Sequence, residues 1–330
     1  MLETAWSRAI GIQTPVVNAP MGGAAGGRLA AAVSRAGGLG MIGMGSASSA
    51  AHLKAELRHV TELEQPFGIG LIDWVMRSDP DLLSTAIAAQ PALLCISFGH
   101  DLSWTQQAHD SGIATATQIA TARQGEQAAA EGVDVIVARG REGGGHGQPA
   151  VATLPLLTTI LDQVDVPVLA AGGIASARGL AAVLAAGAAG AWIGTLFAAC
   201  PEALTSEHAR QALFAAAETD TVITSLFDRA QRYPWPTQFP ERVVRNPLLD
   251  QWSKHRDDVM NDRTAEKGLR EAFGAADSSL APVDAGEGVG LIDAARSASD
   301  VIADLRAEAL TLLTRWSSSA TVLEAHPNTD

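Results

Sequence analysis

The sequence predicts a (β/α)₈ (TIM) barrel carrying an additional, mostly helical lid or substrate domain, and three observations lead there. From Pro15 to about Pro201, short apolar runs of strand length alternate with Ala-rich amphipathic stretches, the signature of βαβ units on a parallel sheet. Eight such runs occur, the number that closes a barrel. With 330 residues, the chain is longer than the roughly 250 that one such barrel uses, which leaves room for an addition.

In chain order the strand candidates are Val16–Ala19, Leu39–Ile42, Phe67–Leu71, Leu93–Ser97, Ile113–Gln118, Val133–Ala138, Val166–Ala171 and Ala189–Gly194. The stretches between them carry helix punctuation. Asp79-Pro80 reads as an N-cap followed by proline in the first turn, and Thr121 with Gln124 as a capping box. Gly112, Gly132 and Gly187 sit where helices should end. Gly38-Leu39-Gly40-Met41-Ile42-Gly43 has dinucleotide-fingerprint spacing, but it follows a helical stretch and covers a strand, the reverse of what that motif needs.

Beyond Pro201 the texture changes. Residues 202–217 read as an Ala-rich helix, whereas 230–250 hold Pro234, Pro236, Pro240 and Pro247 and fit no regular element. Residues 254–273 mix both charge signs at helical spacing, as a solvated face does. Gly286, Gly288 and Gly290 then lead to an apolar stripe of Val301, Leu305 and Leu312. The expected division is a barrel over 1–217, a mostly helical lid or substrate domain over 218–298, and a helix within 299–330 that packs back on the barrel.

Composition narrows the function. Hydrophobic residues make up 47% of the chain and charged ones 18%, so a large core forms and general disorder is excluded. A net charge of −13 without a Lys/Arg cluster argues against nucleic acid as a partner. The segment Met1–Arg8 lacks the pattern of a secretory signal, and the longest apolar stretch, Gly179–Cys200, is broken by glycines. A soluble cytoplasmic protein without membrane contact is expected. Cys95 and Cys200 lie in apolar surroundings without metal-ligand spacing, which predicts buried thiols and no metal site.

In such a barrel the chemistry gathers at the C-terminal ends of the strands. After the seventh candidate comes Ala171-Gly172-Gly173, and after the eighth Gly194-Thr195. Backbone amides free of side chains, ahead of a helix N-terminus, suit a phosphate from a phosphorylated substrate or a nucleotide cofactor. After the sixth comes Gly143-Gly144-Gly145-His146. Successive glycines are costly unless something must approach closely, so a planar ligand is expected there, with His146 beside it as a group able to exchange a proton near neutral pH. Ala19-Pro20-Met21-Gly22 after the first candidate can lay backbone along a ligand edge, and His100 after the fourth is a weaker candidate.

At these residues the chain resembles the nitronate monooxygenase family of FMN-binding (β/α)₈ barrels. The resemblance rests on Asn18-Ala19-Pro20-Met21, Ala36-Gly37-Gly38-Leu39-Gly40, Gly143-Gly144-Gly145-His146-Gly147, Val168-Leu169-Ala170-Ala171-Gly172-Gly173-Ile174, Gly194-Thr195, Thr221-Val222-Ile223-Thr224 and Arg245-Asn246. It implies FMN with its phosphate on Gly172, Gly173, Gly194 and Thr195, and its ring against Met21, Gly22, Gln118, Gly144 and Gly145. It further implies His146 as catalytic base in the oxidation of nitronates or nitroalkanes by O2 to a carbonyl compound and nitrite. Two alternatives stand beside it: an NAD(P)H-dependent FMN reductase acting on quinones or enoyl thioesters, and a non-catalytic flavin-binding barrel. The chain departs from the family at Gly70, where asparagine is usual, and at Arg139, where an uncharged residue is usual. Arg139, at a strand end, is a candidate to hold an anionic substrate.

Overall fold

The computed structural model describes residues 2–252, 263–275 and 281–323. Eight parallel strands form one sheet: β1 (Val16–Asn18), β2 (Gly40–Gly43), β3 (Phe67–Ile72), β4 (Leu93–Ser97), β5 (Ala114–Ile119), β6 (Val135–Arg139), β8 (Val168–Ala171) and β9 (Gly190–Ile193). Between β6 and β8 the two-residue strand β7 (Gly145–His146) lies outside this sheet. Each strand overlaps a sequence candidate, and β1 pairs with β9 in parallel.

Closure falls at the β1–β2 seam, where a single backbone bridge joins Val17 to Leu39. Buried Asn18 completes the seam. Its Nδ2 donates to the Met41 carbonyl at 3.0 Å and its Oδ1 accepts from the Met41 amide at 2.9 Å, so a side chain stands in for ladder bonds.

Alternation along the strands sorts the core into layers. Leu93 and Cys95 of β4, Val135 and Val137 of β6, and Leu169 and Ala171 of β8 pack together inside the barrel with Met41 and Trp192. Their neighbours Leu94 and Ile96, Ile136 and Ala138, and Val168 and Ala170 turn outward to the surrounding helices. Both faces are covered, which is why the strands read as continuous apolar runs. The helices begin and end as their residues dictate. Thr121 and Gln124 form a reciprocal capping box, Asp79 caps a helix with Pro80 in its first turn, and Gly112, Gly132 and Gly187 adopt left-handed φ of +71°, +91° and +102°.

Residues 218–298, expected to be mostly helical, contain helices 226–231, 247–252 and 263–275 and also two strands, β10 (Thr221–Thr224) and β11 (Glu241–Val244). β11 lies within the Pro-rich stretch that fits no regular element by sequence: the prolines flank the strand without entering it. β10 and β11 pair antiparallel, and β11 pairs with β7, which brings Glu241 opposite His146. The loop after β6 is therefore stitched to the added segment. Of the charged stretch read at 254–273, residues 254–262 lie outside the described residues. The helix 298–323 sets Val301, Ile302 and Leu305 in the same core as Leu29, Val33, Leu180 and Val183 of the barrel helices. Among the described residues no helix is long and apolar enough to cross a membrane.

Candidate active site

A cavity of about 600 Å³ opens at the C-terminal ends of the barrel strands, a size typical of pockets that enclose a cofactor-sized ligand. Every site residue singled out in the sequence, His100 excepted, lines it. Ala19, Pro20, Met21 and Gly22 come from the end of β1, Gln118 from β5, and Gly144, Gly145 and His146 from the segment after β6. Ala171, Gly172 and Gly173 follow β8, and Gly194 and Thr195 follow β9. His100 is not among them: it is exposed and lines a separate cleft with Phe98 and Gln124.

The β8 and β9 loops form a cradle of glycines and small or uncharged residues. Gly172 and Gly173 take φ of +109° and +69°, conformations that favour glycine, and a Cβ on Gly172 would stand 2.7 Å from Thr153 Oγ1. The helix 177–185 begins immediately after, with Ser176 as its cap. None of the cavity residues from these two loops is acidic, so the amides and the helix N-terminus present a positive end to the cavity. The Thr195 hydroxyl is engaged, accepting from the Gly286 amide at 3.0 Å.

All three glycines before His146 line the cavity, and packing adds a reason for Gly144 to be small. A Cβ on Gly144 would lie 2.6 Å from the Ala285 backbone, and one on Gly286 would lie 2.6 Å from the Glu142 carbonyl. Backbone of the added segment occupies the space that a side chain on Gly144 would need, while Gly143 and Gly145 border the Arg139 guanidinium and the Asp284 carboxyl. Arg139 is tied to the same segment. It is buried, and its guanidinium donates to the carbonyls of Gly143, Gly144 and Gly145 at 2.9, 3.0 and 3.0 Å. Burial, and next the positive charge of Arg242, push it down to about 10. Through Nη2 it clamps the glycine segment, and it also lines the cavity.

His146 sits on β7 rather than in a free loop, its side chain 15% exposed. Nε2 lies 3.0 and 3.1 Å from the two Asp228 oxygens. With Asp228 accepting, Nε2 carries the proton and Nδ1 keeps the lone pair. Trp235 stacks on the imidazole at 3.7 Å and 7°, and its indole N–H donates to Ser46 at 3.0 Å, fastening the added segment to the loop after β2. Phe98 meets Trp235 edge-on at 5.0 Å and holds a φ of +70°. For an aromatic residue that is strained backbone, of the kind that concentrates at functional sites.

Sequence reasoning missed Asp228, Glu241 and Asp284, three carboxylates lining the cavity near His146. The donor atoms of His146, Asp228 and Glu241 all lie within 4.8 Å of one another. Burial, reinforced by Asp284 and Asp228, holds Glu241 well above the ordinary carboxylate range, and burial raises Asp284 as well. Antiparallel pairing to β7 brings Glu241 there, and no local motif encodes that pairing. Cys95, on the cavity floor, and Cys200 are free buried thiols, both pushed up to about 12 by burial.

Comparison with known proteins agrees with this geometry. A family model described as nitronate monooxygenase matches residues 3–81 and 84–308. The chain is 33% identical to a (3aS,4S,5R,7aS)-5-hydroxy-7a-methyl-1-oxo-octahydro-1H-indene-4-carboxyl-CoA dehydrogenase of Rhodococcus jostii, over 76% of this chain and 67% of that protein. It is 30% identical to a nitronate monooxygenase of Neurospora crassa, over 89% of this chain and 88% of that protein. Among solved structures it resembles FabK from Thermotoga maritima with a TM-score of 0.83 and 28% identity, covering 97% of this chain and all of that one.

Proposed function

Because the chain belongs to the nitronate monooxygenase family, whose members are flavin oxidoreductases, we propose that it binds FMN and oxidises alkyl nitronates and nitroalkanes with O2. The products are a carbonyl compound and nitrite. The observation that carries this reading is convergence: an acid-free glycine cradle and an Asp-bound histidine face one cavity. Gly172, Gly173, Gly194 and Thr195 would hold the phosphate of FMN, and Ala19, Pro20, Met21, Gly22, Gln118, Gly144, Gly145 and Ala171 would line the space for the rest. FMN, when bound, supplies the electron acceptor and the reaction with oxygen.

The chain's own residues supply orientation and a proton acceptor. Asp228 holds the imidazole through Nε2, which leaves Nδ1 to take the α-proton of a nitroalkane while charge spreads onto the nitro oxygens. A nitronate has lost that proton already and needs His146 only as a contact. Trp235 fixes the plane of the ring and, with Phe98, covers the cavity on that side, which limits water at the reacting carbon.

A second reading, an NAD(P)H-dependent flavin reductase, draws on the likeness to FabK. One experiment separates the two. The purified protein should be yellow, release nitrite from propionate 3-nitronate and oxidise NAD(P)H slowly at best. Rapid NAD(P)H oxidation without nitrite would favour the reductase, and a protein that stays colourless after incubation with FMN would overturn both.

A further inference from the structure

Glu241 has no place in the chemistry above, yet it stands beside the base. It faces His146 across the antiparallel ladder of β11 and β7, so the two side chains share the face turned to the cavity. It is 4% exposed, and its Oε1 has no hydrogen-bond partner among the described residues. A buried polar atom is normally satisfied, so an unpartnered one on a side chain that lines a ligand cavity points to a group that arrives with the ligand.

Among the described residues no cation pairs with Glu241. The next residue, Arg242, sends its guanidinium to the Arg141 carbonyl, the Thr221 hydroxyl and Glu287. Arg139 turns its Nη2 to the glycine carbonyls and makes no hydrogen bond or ion pair with Glu241. His146 is taken by Asp228. The charged groups facing Glu241 from its neighbours are therefore the carboxyls of Asp228 and Asp284, and ionising a third acid among them is disfavoured.

We propose that Glu241 is kept as the neutral acid and donates a hydrogen bond to an oxygen of the substrate that binds beside His146. The ligand class this selects is a planar oxygen acceptor, anionic or becoming so: a nitronate, a nitro group losing its α-proton, or a carboxylate. Burial and the two neighbouring carboxyls, which hold Glu241 well above the ordinary range, act in the same direction. A neutral donor explains how a cavity bordered by carboxyls accepts an anion, because the bond strengthens as negative charge builds on the acceptor. Cases of a buried carboxylic acid held neutral to donate such a bond are established. The proposal deepens the nitronate reading and rests on it for the identity of the substrate.

Two measurements that need no turnover test it. The infrared difference spectrum between the wild type and Glu241→Gln at pH 7 should contain a protonated-carboxyl C=O band that the variant lacks. Calorimetric titration with benzoate, a planar oxyanion probe, should show affinity falling about 10- to 100-fold in Glu241→Ala, the loss expected for one hydrogen bond to a charged group. Wild-type affinity should decline above the pH at which the band disappears, while Glu241→Gln, an isosteric donor that cannot ionise, keeps its affinity there. Absence of the band, equal affinity in all three proteins, or a stoichiometric metal ion that is lost with Glu241 would overturn the proposal. Failure to release nitrite would count against the nitronate reading and leave both of these outcomes decisive for Glu241.

Discussion

Arg139 shows how a residue changes meaning between sequence and structure. Its place at a strand end suggests a substrate contact, and the structure adds a structural task, because its Nη2 donates to three carbonyls of the glycine segment. Arg139→Met leaves those carbonyls without a donor and should lower stability by about 3 kcal/mol in urea unfolding, with the slope unchanged. An unaltered midpoint with a raised KM for propionate 3-nitronate would leave only the substrate role. Glu241 gives a prediction in pH. Because its folded-state value lies well above the ordinary 4.5, the folded chain binds the extra proton. The associated stability is complete below that value and is lost as pH rises through the raised one. Relative to Glu241→Gln, the wild type should lose stability over that window, and parallel profiles would contradict the assignment. His146 was legible in sequence because glycines announced it. Asp228 and Glu241 were not, since a helix and a strand that local pattern does not pair bring them in.

At the scale of elements, the glycines that carry the family resemblance divide into two kinds. Gly40 lies in β2, and a Cβ there would stand 1.8 Å from the Ala30 carbonyl of the helix 27–35. The shared Ala36–Gly40 motif therefore marks backbone-to-backbone contact of helix and strand. Gly40→Ala should cost about 3 kcal/mol, at the upper end of ordinary overpacking, and a change in Tm of less than a degree would refute the contact. Gly172 and Gly173 are of the other kind, holding left-handed turns that border the cavity. Sequence spacing located every barrel strand because period and punctuation agreed there. It failed at β11, where Pro236 and Pro240 masked a strand of four residues, and it had no means of finding β7, whose two residues are strand only through β11.

At the scale of the whole molecule, one stitch makes the site. The β7–β11 pairing, the bond of Trp235 to Ser46 and that of Gly286 to Thr195 bind the added segment to the rim of the barrel on three sides of the cavity. The barrel was legible from alternation alone. The enclosure was not, because its contacts join residues far apart in the chain. Within that enclosure the account gives His146 one task, removal of a proton from carbon, and the comparison of His146→Asn on two substrates tests it most directly. Nitrite release from a nitroalkane should fall by about 10²- to 10⁴-fold, whereas release from the matching nitronate, which has no α-proton left to lose, should fall far less. Equal losses on both substrates, or none on either, would contradict the account.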